Sequence, residues 1–167
     1  MKYFIISDTH FNHVEKMCKW CGRPKDYEKK LWKALDDLPD DCTLIHLGDV
    51  CIGNDERVHN RMGTLRYKKI LVKGNHDKKS NTWYLNKGWD FVCEQFSDTI
   101  YGKRVLFSHK PAKFDGKYEI NVHGHFHNTT HRSQEPELVE IYNELQKLYA
   151  CEYEKYTPVS LESFINR

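Results

Sequence analysis

Lys69-Ile70-Leu71-Val72-Lys73-Gly74-Asn75-His76-Asp77 is the stretch that decides how the chain reads. Its first half is a short apolar, β-branched run without polar alternation, the pattern of a strand covered on both faces. Its second half places a glycine, a carboxamide, an imidazole and a carboxylate where that strand ends. The same order recurs along the chain. Tyr3–Ser7 is followed by Asp8-Thr9-His10, Thr43–Leu47 by Gly48-Asp49, Arg104–Ser108 by His109, and Glu119–Val122 by His123-Gly124-His125-Phe126-His127.

Helical patterns lie between these runs. Leu31, Leu35 and Leu38 form one stripe behind Asp26 as N-cap, and a second pattern runs from about Asp55 to Leu65. A third, Pro136 to Leu148, carries Leu138, Ile141, Leu145 and Leu148 along one face, with proline in its first turn. Phe91–Phe96 and Cys151–Tyr156 read as further strands, antiparallel or at edges. Strands separated by helices in the first half, with a strand-rich second half, give an α/β fold.

Ligands of open α/β sheets bind beyond the carboxyl ends of the strands. Five such ends bring together Asp8, His10, Asp49, Asn75, His109, His125 and His127, a set of oxygen and imidazole donors without a thiol. In Asp8-x-His10 and His125-x-His127, alternate residues of an extended segment share one side, where both can reach one ion. Gly48, Gly74 and Gly124 precede donors where the backbone must turn sharply. Such a mixed set exceeds what one ion takes. Two ions sharing a bridging carboxylate would have four donors each, and cations roughly 3.5–4 Å apart form a clamp for in-line phosphoryl displacement. The donor types suit two divalent transition-metal ions, Mn²⁺, Fe, Zn²⁺, Ni²⁺ or Co²⁺ alike, ahead of Mg²⁺ or Ca²⁺, and Mn²⁺ is the ion expected.

The composition sets the frame. At 167 residues the chain has the size of a single domain, 1–167, able to bury a core without disulfides. With 39% hydrophobic and 30% charged residues it is neither disordered nor membrane-spanning. Six cysteines read as reduced thiols of a cytoplasmic protein, and Met1-Lys2 leads into the first strand with no secretory segment. A net charge of +2 neither demands nor excludes nucleic acid, and the absence of a basic stripe makes it the less favoured partner.

Asp8-x-His10, Gly48-Asp49, Gly74-Asn75-His76-Asp77, His109 and Gly124-His125-x-His127 resemble, in this order, the five sequence blocks of the calcineurin-like metallophosphoesterases. The likeness spans residue 5 to about 128. The segment Asp8-Thr9-His10-Phe11-Asn12-His13, with Gly22-Arg23-Pro24 after it, is similar to a small single-domain subgroup of bacteria and phages. The resemblance implies a β-sandwich of two mixed sheets flanked by helices (αββα), with the metals at one edge. It implies one metal on Asp8, His10, Asp49 and His127, and another on Asp49, Asn75, His109 and His125, with Asp49 bridging. His76 would contact the phosphate and protonate the leaving alkoxide, and Asp77 would hold that imidazole in its tautomer. Thr129–Ala150 departs from the compact pattern and resembles a helical insertion, 129–150, that caps the cleft or makes a contact in a homo-oligomer.

The implied activity is hydrolysis of a small or nucleotide-like phosphate ester by a metal-bridged hydroxide, a diester in preference to a monoester. A nuclease or phosphomonoesterase is the alternative within catalysis. A non-catalytic metal-binding scaffold, like the retromer subunit of this fold, is the alternative outside it, although the histidine typically replaced there is present as His76. His13, Arg23 and His123 are expected to contact substrate. His46 is expected to be a buried hydrogen-bonded residue, and His59 and His131 to face solvent. Cys18-x-x-Cys21 lacks a second cysteine pair and reads as an ordinary loop.

Overall fold

Ile5, Ile6, Leu44, Ile45, Leu71 and Val72 have no exposed surface, because the strands that carry them are covered on both faces. The computed structural model describes residues 2–128 and 135–167. Strands β1 (Lys2–Ile6), β2 (Cys42–His46), β3 (Lys68–Val72) and β4 (Phe91–Cys93) run parallel. Helices α1 (Val14–Cys21) and α2 (Tyr27–Asp36) lie between β1 and β2, α3 (Asp55–Thr64) before β3, and α4 (Asn81–Leu85) before β4. A second sheet holds β5 (Gln95–Ile100), β6 (Lys103–Ser108), β7 (Ile120–His123) and β8 (Gln146–Leu148) in that spatial order. β5 and β6 form an antiparallel hairpin whose two turn residues, Tyr101 and Gly102, both have positive φ, as a tight twisted hairpin requires. β6, β7 and β8 are parallel. After α5 (Pro136–Glu140) and β8, the chain returns to the first sheet as β9 (Val159–Ser160), antiparallel to β1, and ends in α6 (Leu161–Ile165). The first sheet therefore has the order β4-β3-β2-β1-β9. Two mixed sheets flanked by helices share one apolar core, to which Leu44 and Leu71 contribute from one side and Val105, Phe107 and Val122 from the other.

Three elements differ from the sequence reading. The helix expected over 136–148 stops at Glu140. Asn143 caps a turn there, its Oδ1 accepting from the Leu145 amide at 2.9 Å, and Gln146–Leu148 pair with the open edge of β7. Edge pairing thus outweighs the helical stripe. The strand expected at Cys151–Tyr156 is a series of turns, with Lys155 and Tyr156 at positive φ. The run Phe91–Phe96 divides at Glu94 between the two sheets. His131 and the beginning of the expected 129–150 insertion lie outside the described residues. Among the described residues no helix is long and apolar enough to cross a membrane.

Candidate metal centre

The loops that leave β1 and β2 run side by side. Asp8 N donates to Gly48 O at 2.9 Å, His10 N to Asp49 O at 3.1 Å and Phe11 N to Val50 O at 3.0 Å. The second sheet joins them where the His125 amide donates to Asp8 Oδ2 at 2.8 Å and His109 Nδ1 to Leu47 O at 2.7 Å. Two glycines make this convergence sterically feasible. A Cβ on Gly74 would stand 2.2 Å from Asp49 Oδ1, and one on Gly124 would stand 1.9 Å from Ser7 Oγ. Neither is at positive φ; each permits close approach, while Gly48, at φ +94°, supplies the sharp turn.

The left-handed backbone falls on the donors themselves. Asp8, His10, Asp49, His125 and His127 have φ of 53°, 46°, 56°, 71° and 50°. The alternate residues of Asp8-x-His10 and His125-x-His127 therefore converge through left-handed turns, and the extended geometry expected for them does not occur. Each such residue costs of order 1 kcal/mol or more, offset by the contacts that fix it.

Each carboxylate has one oxygen tied down and one aimed inward. Asp8 Oδ2 accepts from Ser7 Oγ at 2.5 Å and from the His125 amide at 2.8 Å. Its Oδ1 has no hydrogen-bond partner and lies 3.7 Å from His10 Nε2 and 3.5 Å from His127 Nε2. Asp49 Oδ1 accepts the His76 amide at 2.8 Å, whereas its Oδ2 stands 3.7 Å from His10 Nε2 and 3.4 Å from His109 Nε2. His109 donates through Nδ1 to Leu47 O at 2.7 Å, which turns Nε2 toward Asn75 Oδ1 at 3.0 Å and His125 Nδ1 at 3.2 Å. Asp8, His10 and His127 form one group of converging ligand atoms, and Asp49, His109 and His125 form another. All seven donors read from the sequence come together here.

A divalent metal fits this set. Asp8 Oδ1 and His10 Nε2 are buried without hydrogen-bond partners, a costly arrangement that a cation between them would relieve. The imidazoles are coupled to the carboxylates. Burial opposes a charge on His109 and His127, but Asp49 and Asp8 outweigh it and push them up to about 9 and about 10. On His10 burial wins, pulling it down to about 4. Cation binding must displace the protons held by His109 and His127.

Outside the seven donors, Asp77, Arg23 and His123 depart from expectation, while His76 and His13 line the cleft. His76 is 45% exposed at the mouth of the cleft, its Nε2 3.9 Å from Asp49 Oδ2. Asp77 does not reach it. Its carboxylate accepts the Asp49 amide at 2.7 Å, the Gly74 amide at 2.8 Å and the Val50 amide at 3.2 Å, so it fixes the loop and not the imidazole tautomer. Arg23 turns away from any incoming phosphate, into a buried ion pair with Glu152. His123 is fully buried and its Nδ1 meets Gly124 O at 2.9 Å, which removes it from substrate. His13 does line the cleft, a space of about 480 Å³ that also includes Trp20, Lys110 and Glu135. Glu135 contacts both His125 Nε2 and Lys110 Nζ. Sequence reasoning missed Lys110, Glu135, Glu152 and the role of Trp20, since only tertiary folding brings them to the donors.

Two further histidines bear on stability. His46 is buried as expected, accepting the Gly48 amide at Nδ1 (3.1 Å) and meeting Thr9 Oγ1 at Nε2 (3.0 Å). His59, expected at the surface, is buried on the inner face of α3, where Trp89 Nε1 donates to its Nδ1 at 3.0 Å. Burial pulls His46 down to about 3 and His59 to about 4, so the folded state keeps both neutral where the unfolded chain takes up protons. Each therefore contributes stability that is present above about pH 6.5 and is lost as pH falls, toward 3 for His46 and toward 4 for His59, by up to about 1.4 kcal/mol per pH unit. Asp77, pushed up to about 6 by burial and Asp49, offsets one of them. His59→Gln is expected to flatten the acid slope of stability by one proton, read from urea unfolding of chelator-treated protein between pH 6 and 5. An unchanged slope would show that His59 does not titrate on unfolding.

The sequence profile of the calcineurin-like phosphoesterase superfamily domain matches residues 1–143. A curated relative, the uncharacterized protein MJ1445 of Methanocaldococcus jannaschii, is 27% identical over 179 residues, covering 98% of this chain and 89% of that protein. The crystal structure of AQ665, a protein of unknown function from Aquifex aeolicus, superposes with a TM-score of 0.74 at 26% identity, over 97% of this chain and 96% of that one. An archaeal phosphodiesterase shares the fold, with a TM-score of 0.54 at 18% identity, over 96% of this chain and 99% of that one.

Proposed function

Because the chain belongs to the calcineurin-like phosphoesterase superfamily, we propose that it is a two-metal phosphodiesterase acting on a small or nucleotide-like ester in the cytoplasm. The observation that carries this reading is the pair of half-anchored carboxylates: Asp8 and Asp49 each commit one oxygen to the backbone and aim the other at imidazoles. Asp8, His10, His127 and Asp49 would hold one cation, and Asp49, Asn75, His109 and His125 the other. Such cations, when bound, supply Lewis-acid stabilisation of phosphoryl charge and acidify water. His76 stands at the cleft mouth, where it can hand a proton to a departing alkoxide. The Lys110–Glu135 ion pair lines one wall, and Trp20, half exposed with Lys16 over its ring, lines another beside His13. A cleft with one charged and one aromatic wall suits a diester that carries an aryl or nucleoside group.

Metal-free protein is expected to bind two Mn²⁺ per chain and then hydrolyse bis-p-nitrophenyl phosphate, with activity abolished by chelator. Side-by-side assays with a monoester and single-stranded DNA then rank the substrate classes. Inactivity with Mn²⁺, Fe²⁺, Zn²⁺, Ni²⁺ and Co²⁺ alike would overturn the enzymatic reading in favour of a scaffold.

A further inference from the structure

The chain beyond residue 143, past the span that the superfamily profile matches, returns to the donor cluster. β9 pairs with β1 at Phe4–Ser160 and Ile5–Val159, and Cys151 Sγ donates to Ser7 O at 3.0 Å. These contacts hold residue 152 beside the loop that carries Asp8. We propose that Glu152, with Arg23, positions His127 as a metal ligand, so that the C-terminal segment completes one of the two metal sites. The proposal rests on the two-metal reading above.

The two ring nitrogens of His127 face different partners. Nε2 lies 3.5 Å from Asp8 Oδ1, inside the donor cluster, and Nδ1 lies 3.3 Å from Glu152 Oε1, behind it. An imidazole that gives its Nδ1 proton to a carboxylate presents a more basic Nε2 lone pair to a cation. Glu152 is itself held by Arg23 Nε at 2.7 Å, and the two side chains are 4% and 0% exposed. The same guanidinium donates through Nη1 to Thr9 O at 3.0 Å and through Nη2 to Asp8 O at 2.7 Å. One buried cation thus ties the backbone of the Asp8 loop to the carboxylate behind His127.

Arg23 Nη2 also lies 3.3 Å from His127 Nδ1, but two donors cannot share a proton. The Glu152 carboxylate can only accept, and a cation on Nε2 needs that nitrogen's lone pair, so the Nδ1 proton goes to Glu152. Ligand atoms of Cys21, His127 and Glu152 lie within 4.8 Å of one another, a spacing that a third cation could use. The guanidinium on Glu152 already supplies positive charge there, so the trio supports His127 instead. Stability alone does not account for the pair, since buried ion pairs are often no better than apolar replacements.

The test is calorimetric titration of metal-free protein with Mn²⁺. Glu152→Gln keeps the shape and an acceptor for Arg23 while removing the charge. One of the two Mn²⁺ ions is expected to bind about 10–100-fold more weakly, alongside a fall in metal-free Tm from the unpaired Arg23. Glu152→Asp is expected to recover part of that loss. If Glu152→Gln fails to fold, the double change Arg23→Gln/Glu152→Gln leaves no buried charge unpaired and is expected to show the same weakened site. Unchanged affinity at both sites overturns the proposal, even if Tm falls, because a purely structural pair would lower Tm alone. Absence of Mn²⁺ binding by the unaltered chain overturns the two-metal reading itself, and this proposal with it.

Discussion

Asp49→Ala protein is expected to retain neither metal ion after purification and to lose diesterase activity by roughly 10³-fold or more, the effect of removing several kcal/mol of Lewis-acid stabilisation. The expectation follows from where Asp49 Oδ2 stands. It is 3.7 Å from His10 Nε2 on one side and 3.4 Å from His109 Nε2 on the other, and the described donors divide into two groups across it. Although burial works against ionisation, His109 holds the Asp49 carboxyl down at about 2, so the group is anionic throughout the working range. Asp49 Oδ1 also accepts the His76 amide, and alanine would loosen that loop as well. Asp49→Asn separates the two effects, because the carboxamide still offers an acceptor to His76 while lacking the charge. Metal analysis of Asp49→Asn is expected to give the same loss of both ions. One ion retained with parental affinity would show that Asp49 serves a single site.

The constellation was legible because each donor directly follows an apolar run, and a strand end is among the few positions that local pattern fixes well. Sheet order then brings Asp8, Asp49 and Asn75 to one end of the first sheet and His109 and His125 to one end of the second, and the contact between the sheets joins the two sets. What sequence could not convey was direction. Asp77 sits beside His76 in the chain, which suggests an imidazole partner, but three backbone amides reach its carboxylate first. Arg23 reads as a phosphate contact near the site, yet Glu152, distant in sequence, draws it inward. His59 lies on a polar-looking helix whose burial depends on Trp83, Tyr84 and Trp89. The stripe from Leu138 to Leu148 fails as a helix because an unpaired edge of β7 competes for Gln146–Leu148. In each case a long-range partner decides among conformations that the local sequence leaves open.

His76→Ala is expected to lower turnover by about 10²–10⁴-fold on a diester with an alkyl leaving group, while both metal ions remain bound. The imidazole packs edge-on against His10 at 5.6 Å, and among the described residues nothing hydrogen-bonds to its ring. A half-exposed imidazole next to the donors but not committed to them is placed to transfer a proton, and its removal leaves the seven donors in place. The size of the loss should track the leaving group. p-Nitrophenolate departs without protonation, so on bis-p-nitrophenyl phosphate the variant is expected to lose far less than on the alkyl ester, and the ratio of the two losses measures the proton transfer. Equal losses on both substrates would assign His76 to phosphate binding instead. Loss of a metal ion would make it a ligand, since its Nε2 stands only 3.9 Å from the carboxylate oxygen that faces both donor groups.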